Sequence, residues 1–243
     1  MRVSIVITAH KTAEEIAGPL ATLEPQRGDV DEILVIDDGS HPPLVLPDWV
    51  KTVRIERQPV YRNPSAAKNF GAKEASGDFL IFIDAGIYLL PDTLKSMVWV
   101  MENASPKPMI TIQCLMLNGA PDLDEMEDRA AEMVQDTGFW TEHPLMMVEK
   151  KAFLGYDEET FTHWGFEAHD YDIRWLMAGG LIFSDVRRVR NGKRLVCFHP
   201  YHDAPRDKET AELQFFNKWG ETWSMDMMRR AIWKFVDGID GNS

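Results

Sequence analysis

The sequence predicts an α/β fold, with a largely parallel sheet covered by helices on both faces. Three observations carry that prediction. Short runs of branched apolar residues alternate with segments of helical period through the first half of the chain. The strongest of these runs stop at polar clusters, Thr8-Ala9-His10, Asp37-Asp38-Gly39-Ser40 and Asp84-Ala85-Gly86, as strands do at the ligand-binding edge of a parallel sheet. The chain also has the length and apolar content to bury a core, with 243 residues of which 44% are hydrophobic and 27% charged.

Taken in order, Val3 to Ile7 reads as a buried strand. Thr12 is placed to cap a helix whose inner face is Ile16, Leu20 and Leu23, closed by Pro25 and Gly28. Ile33 to Ile36 is the second strand, His41 to Asp48 a proline-rich loop, and Val53 to Ile55 a short strand. Asn63-Pro64 opens a helix to about Ala75, followed by the strand Phe79 to Ile83. A helix from about Pro91 to Glu102 turns Leu94, Val98 and Met101 inward, and Met109 to Cys114 is a further strand. The acidic run from Asp122 to Asp136 reads as a solvated helix face. Leu145 to Val148 returns to strand, Ala168 to Ala178 to helix and Leu181 to Phe183 to strand. Leu213 to Val236 carries Phe216, Trp219, Trp223 and Trp233 at helical spacing, a pattern of core packing. No internal repeat, low-complexity tract or linker interrupts the chain, which predicts one domain over 1–243 with a C-terminal helical extension.

Charge narrows the partners. Lys and Arg total 26 against 39 Asp and Glu, a net charge of −13, so nucleic acid and anionic lipid are disfavoured as general partners. The densest basic run, Arg187 to Arg194, is too sparse to reverse that expectation. Cys114 and Cys197 lie in apolar stretches and read as free thiols rather than a secreted disulfide framework. The N-terminal apolar run is too short for a signal peptide or membrane span, so a soluble cytoplasmic protein is expected.

The chemistry gathers at the strand ends. The three polar clusters should converge on one crevice, where carboxylates can bind ribose and base edges or hold a divalent cation against phosphate. Asp37-Asp38-Gly39-Ser40 is equally ordinary turn chemistry. No G-x-G-x-x-G follows the first strand and no G-x-x-x-x-G-K-[ST] is present, which removes the main support for dehydrogenase and P-loop readings. Glu167, Asp170 and Asp172 crowd a helix mouth, more carboxylates than capping requires. His199 and His202 follow a short apolar strand and form a possible metal or phosphate pair.

The run Ser4 to Thr8, then Glu32 to Ser40, then Ala67-Lys68-Asn69-Phe70-Gly71-Ala72 with Ala75 to Asp78 before Phe82-Ile83-Asp84, resembles the nucleotide-binding half of family-2 glycosyltransferases. Phe153 to Glu158 with Trp164-Gly165 resembles that family's acceptor-side signature. The His199/His202 pair followed by Asn217-Lys218-Trp219-Gly220 resembles its closing segment. The resemblance implies a GT-A-type, Rossmann-like fold with a nucleotide-binding half over 1–113, an acceptor-side half over 114–220 and a C-terminal helix over 221–243. It implies transfer of a sugar from a nucleoside diphosphate donor to an acceptor hydroxyl, with inversion.

By that resemblance Asp170 is the base, with Glu167 as the alternative because Ala168 and His169 are inserted between the usual adjacent acids. Thr8, His10, Asp37, Asp38, Lys68 and Asp84 fall to the donor, and Trp164 and Asp172 to the acceptor. Asp84, His199 and His202 are the expected ligands of Mn2+ or Mg2+. Relatives carry Asp-x-Asp at the strand end, whereas this chain has Asp84-Ala85-Gly86. Three outcomes follow: His199 or His202 with Asp84 still hold a cation, Lys or Arg side chains replace it, or the protein no longer transfers sugar, the rival reading being a protein that binds nucleotide or sugar without turnover. A metal-dependent hydrolase built on His199, His202 and Asp84 is the more distant alternative, disfavoured because the histidines lack the helical i, i+4 spacing.

Overall fold

The computed structural model describes residues 1–10, 13–56, 64–133, 143–163, 165–200 and 208–220. Four parallel strands form the half of the main sheet that carries the strand-end clusters: β1 (Val3–Ala9), β2 (Glu32–Asp38), β3 (Lys51–Ile55) and β4 (Phe79–Asp84). The connecting helices are α1 (Ala13–Leu23) between β1 and β2, and α2 (Ser65–Glu74) between β3 and β4. After β4 come β5 (Tyr88–Leu89), α3 (Thr93–Asn103), β6 (Met109–Thr111), β7 (Gln113–Leu117), α4 (Met126–Met133) and β8 (Leu145–Glu149). The chain continues with α5 (Glu167–Met177), β9 (Ile182–Phe183), β10 (Val196–Pro200) and α6 (Lys208–Trp219).

The seven-stranded sheet has the order β3-β2-β1-β4-β8-β6-β9, and a second sheet has the order β5-β10-β7. In the larger sheet β8 runs antiparallel to both β4 and β6, which makes the sheet mixed but mostly parallel. The expected strand from Met109 to Cys114 is two strands. Thr111 pairs with β8 in the large sheet, whereas Gln113 pairs with β10 in the small one, so the chain changes sheets at Ile112. A continuous apolar run cannot show that switch, because both halves are buried.

Side chains alternate across the large sheet, and both of its faces are dry. Ile5, Ile7, Val35, Ile81 and Ile83 join one apolar layer with Ile16 and Leu20 of α1, Leu94 and Met97 of α3 and the small sheet's Leu115, Cys197 and Phe198. Val6, Leu34, Ile36, Leu80 and Phe82 join the other with Ala67 of α2 and Tyr171 and Trp175 of α5. Burial on both faces explains why the strands read as unbroken apolar runs rather than as alternating ones.

Two differences at element ends affect the site. β2 extends through Asp38, two residues beyond the expected end, so both aspartates lie on the strand itself. The last helix starts at Lys208 rather than near Leu213. The expected cap Thr12, the opening Asn63, and the C-terminal extension with Trp223 and Trp233 lie outside the described residues. The acidic run forms α4 in part, and its end beyond Met133 lies outside them too. Both cysteines are free and occupy register positions opposite each other on β7 and β10, Cys197 buried and Cys114 half-buried.

Candidate active site

Parallel pairing brings the strand ends level: Thr8 on β1 stands opposite Asp84 on β4 and Ile36 on β2, and Ala9 opposite Asp37. The three expected clusters therefore share one edge. Thr8 is buried in the middle of it, and the exposed His10 just beyond donates from Nδ1 to the Asp38 carbonyl at 2.8 Å. His10 thereby braces the end of β2.

The adjacent aspartates at that end do different work. Asp37 accepts the backbone N–H of Ser40 at 2.7 Å, the N–H of Leu44 at 3.2 Å and Nη1 of Arg54 at 2.6 Å. Burial alone would raise its carboxyl, but these donors hold it below the usual carboxylate range. Gly39, at φ 68°, supplies the left-handed turn that folds the loop back onto Asp37. Asp37, expected at the donor, here anchors the loop, its oxygens taken up by the protein itself. Asp38 is 7% exposed, and among the described residues its buried Oδ1 accepts no hydrogen bond. A buried carboxylate oxygen in that state loses its water without recompense, and a hydroxyl or N–H from a ligand would restore the lost bond.

Lys68 rises from α2 to the same edge. It is 3% exposed, with Nζ 2.9 Å from Asp84 Oδ1, 3.3 Å from the His143 carbonyl and 5.5 Å from the centre of the Tyr156 ring. Its neighbour Asn69 ties α2 to the acceptor-side segment, donating to the Tyr156 carbonyl and accepting from the Tyr156 N–H, both at 2.8 Å.

The three carboxylates of α5 separate. Glu167, 8% exposed at the helix start, accepts the Gly165 N–H at 2.9 Å. Burial pushes its carboxyl up, the Lys68 charge lowers it and Asp84 raises it again, for a net rise. Those two influences place Glu167 electrostatically within the strand-edge group. Asp170 points elsewhere. It has no exposed surface, Oδ2 accepts from Arg174 Nε at 2.8 Å, and Oδ1 accepts from Trp219 Nε1 at 3.0 Å and lies 2.7 Å from Lys218 Nζ. Asp170 is the expected base, and here its oxygens tie α5 to α6 and are covered by those partners. Asp172, expected at the acceptor, is 2% exposed and accepts from His143 Nε2 at 2.8 Å.

His143, absent from the sequence reading, links the two halves. Nδ1 meets the Tyr156 hydroxyl at 3.0 Å, Nε2 donates to Asp172, and its backbone carbonyl receives Lys68. No spacing in the sequence marks it. Asn69 and Tyr156 stand within stretches that carried the family resemblance, a signal that was present but unassigned. Arg54, on the edge strand β3, carried none.

Trp164 and His202 lie outside the described residues. His199 sits on β10 with its ring over the 84–87 turn, and a Cβ on Gly86 would stand 2.6 Å from His199 Nε2 and 3.0 Å from Cδ2. Position 86 therefore has no room for a side chain while that ring is in place. Among the described residues no three His, Cys, Asp or Glu side chains gather as a metal site. The charge of Asp84 is already matched by the Lys68 ammonium. Among the described residues the expected metal ligands do not fit a divalent cation: they are Asp84, already paired with Lys68, and the imidazole of His199, where hard cations need several anionic oxygens.

Residues 4–110 match the family described as Glycosyl transferase family 2. An uncharacterized glycosyltransferase of Haemophilus influenzae is 31% identical over 78 residues, covering 30% of this chain and 31% of that protein. Succinoglycan biosynthesis protein ExoO of Rhizobium meliloti is 30% identical over 102 residues, covering 40% of this chain and 28% of its own. The matched stretches thus span about a third of those relatives' length. S. aureus TarS 1-349, solved in complex with UDP-GlcNAc, shares the fold with a TM-score of 0.58 at 14% identity, covering 97% of this chain and 72% of that one. GalNAc-T7, solved with UDP, GalNAc and Mn2+, does so with a TM-score of 0.59 at 16% identity, covering 98% and 57%. No helix among the described residues is long and apolar enough to cross a membrane. Residues 4–110 are thus similar to glycosyl transferase family 2, and the chain is built on the GT-A-type α/β fold of these solved glycosyltransferases.

Proposed function

We propose that the protein transfers a sugar from a nucleoside diphosphate donor to an acceptor hydroxyl, with inversion at the anomeric carbon. The observation that carries this reading is the buried Oδ1 of Asp38, without a donor among the described residues, at the strand edge that also gathers Lys68, Asp84 and Glu167. A ribose hydroxyl or base N–H would satisfy Asp38, and the diphosphate would lie toward Lys68. The uridine nucleotides in the TarS and GalNAc-T7 complexes support a donor of this class.

Glu167 is the base in this reading. The acceptor oxygen forms a bond to the anomeric carbon as the bond from that carbon to the diphosphate oxygen breaks, and the hydroxyl proton passes to the Glu167 carboxylate. Burial raises the proton affinity of Glu167, and the Lys68 ammonium keeps the ionised form accessible. The Gly165 N–H fixes the carboxylate's orientation. No step is assigned to a metal ion.

Thermal shift with uridine and guanosine diphosphates tests donor binding: a specific ligand raises the melting temperature by mass action. Asp38→Ala should abolish that rise, and an unchanged rise would remove Asp38 from the donor site. Donor binding without transfer to any offered hydroxyl acceptor would favour a binding protein.

A further inference from the structure

We propose that Lys68 takes the place of a divalent cation, supplying the fixed positive charge against the donor's diphosphate. This deepens the donor reading above and rests on it.

A lysine 3% exposed is rare unless its charge is matched. Here the match is the strand-end carboxylate itself, Asp84, at 2.9 Å. An ammonium has three hydrogens. Among the described residues the His143 carbonyl accepts one at 3.3 Å and Asp84 Oδ1 lies in ion-pair contact at 2.9 Å, which leaves hydrogen-bonding capacity for a phosphate oxygen. The Asp84 side chain is 36% exposed, so the pair lies at the boundary of solvent and within reach of a ligand, while the Lys68 ammonium stands 5.5 Å from the centre of the Tyr156 ring.

Position 86 supplies the second, independent observation. A cation bound by Asp84 gains no further carboxylate from this turn, since position 86 is glycine. The volume into which such a side chain would project is occupied by the His199 ring, 2.6 Å from where its first carbon would be. The missing acid and the imidazole are one packing arrangement, and among the described residues no three His, Cys, Asp or Glu side chains gather there as a metal site. As the bond to the anomeric carbon breaks, negative charge builds on the departing diphosphate. A preoriented buried ammonium stabilises that charge without reorganising.

Calorimetric titration of the wild-type protein with uridine, guanosine, adenosine and thymidine diphosphates, in EDTA and again in Mn2+, tests this directly. At least one nucleotide should bind with the same affinity in both buffers to within about twofold, and Lys68→Met should weaken it about tenfold or more in both. Binding that appears only with Mn2+ would overturn the role of Lys68 and leave the donor reading standing. Failure of all four nucleotides in both buffers would overturn the donor reading, and the inference with it. Lys68→Met binding as tightly as wild type would also overturn the inference. The wild-type comparison decides by itself should Lys68→Met fail to fold.

Discussion

The backbone of Gly86 and the imidazole of His199 are in mutual contact so close that a methyl group added at position 86 would stand 2.6 Å from Nε2. The two residues are 113 positions apart in the chain and meet because β10 runs beside β5, pairing Phe198 with Tyr88 and Cys197 with Leu89. Gly86→Asp should therefore overpack the turn, lowering stability by about 1–3 kcal/mol in urea denaturation. His199→Ala in the same chain should recover most of that loss. A Gly86→Asp protein as stable as wild type would show that the ring moves aside freely.

Asp170 and Glu167 should separate stability from catalysis. Asp170→Asn leaves Arg174 and Lys218 facing a neutral amide in the interior, at a cost of about 2–4 kcal/mol; both cations are partly solvated, which keeps the figure below that of a fully buried pair. Glu167→Gln should cost far less stability and lower transfer by about two to four orders of magnitude. Denaturation curves and turnover measured on both variants check this. The opposite ranking would return the base to Asp170.

The tie between Asp157 and Lys218 of α6 should weaken in acid. Burial alone would raise the Asp157 carboxyl, but the hydrogen bonds from Lys218, at 2.6 Å, and from Thr160 outweigh it and hold it at about 2, against an ordinary 3.8. A carboxyl lowered on folding contributes stability above its unfolded value and loses it as pH falls through the folded one. The stability gap between wild type and Asp157→Asn should thus be full above pH about 4 and close as pH approaches about 2. A gap independent of pH across that range would contradict the ion pair.

His143 should matter for Lys68 as well as for the core. His143→Ala removes the donor to Asp172 and the contact of Tyr156, so a loss of about 2–4 kcal/mol is expected by denaturation. Its backbone carbonyl survives the change. Nucleotide affinity per folded molecule should therefore fall less than in Lys68→Met. An equal fall would show that the ring, rather than the carbonyl, holds Lys68 in place.

Much of the first half was legible because its signals are local. Strand ends are announced where branched apolar residues stop at Asp37-Asp38 and at Asp84, and parallel pairing then makes their convergence a geometric necessity. The second half was legible in its helices and less so in its strands. Tyr88–Leu89 is too short to carry a period, and the exchange of sheets at Ile112 leaves no mark in a run buried on both sides. The α5 carboxylates show the limit most clearly. Glu167 and Asp170 are three residues apart on one helix and equally acidic in the sequence, and only their neighbours separate them.

By itself the sequence determined the α/β class, the strand-end edge, the family resemblance and the group of residues from which the site is drawn. These follow from hydrophobic period and from residue order, which are properties of short stretches of chain. The tertiary structure alone decided that Asp37 holds a loop while the buried Oδ1 of Asp38 has no hydrogen-bond donor among the described residues, that Lys68 neutralises Asp84, that His199 fills the space at Gly86, and that Asp170 is bound to Arg174, Lys218 and Trp219. Whether a carboxylate serves chemistry or structure depends on which donors occupy its oxygens, and those donors come from positions that no local pattern ties to it.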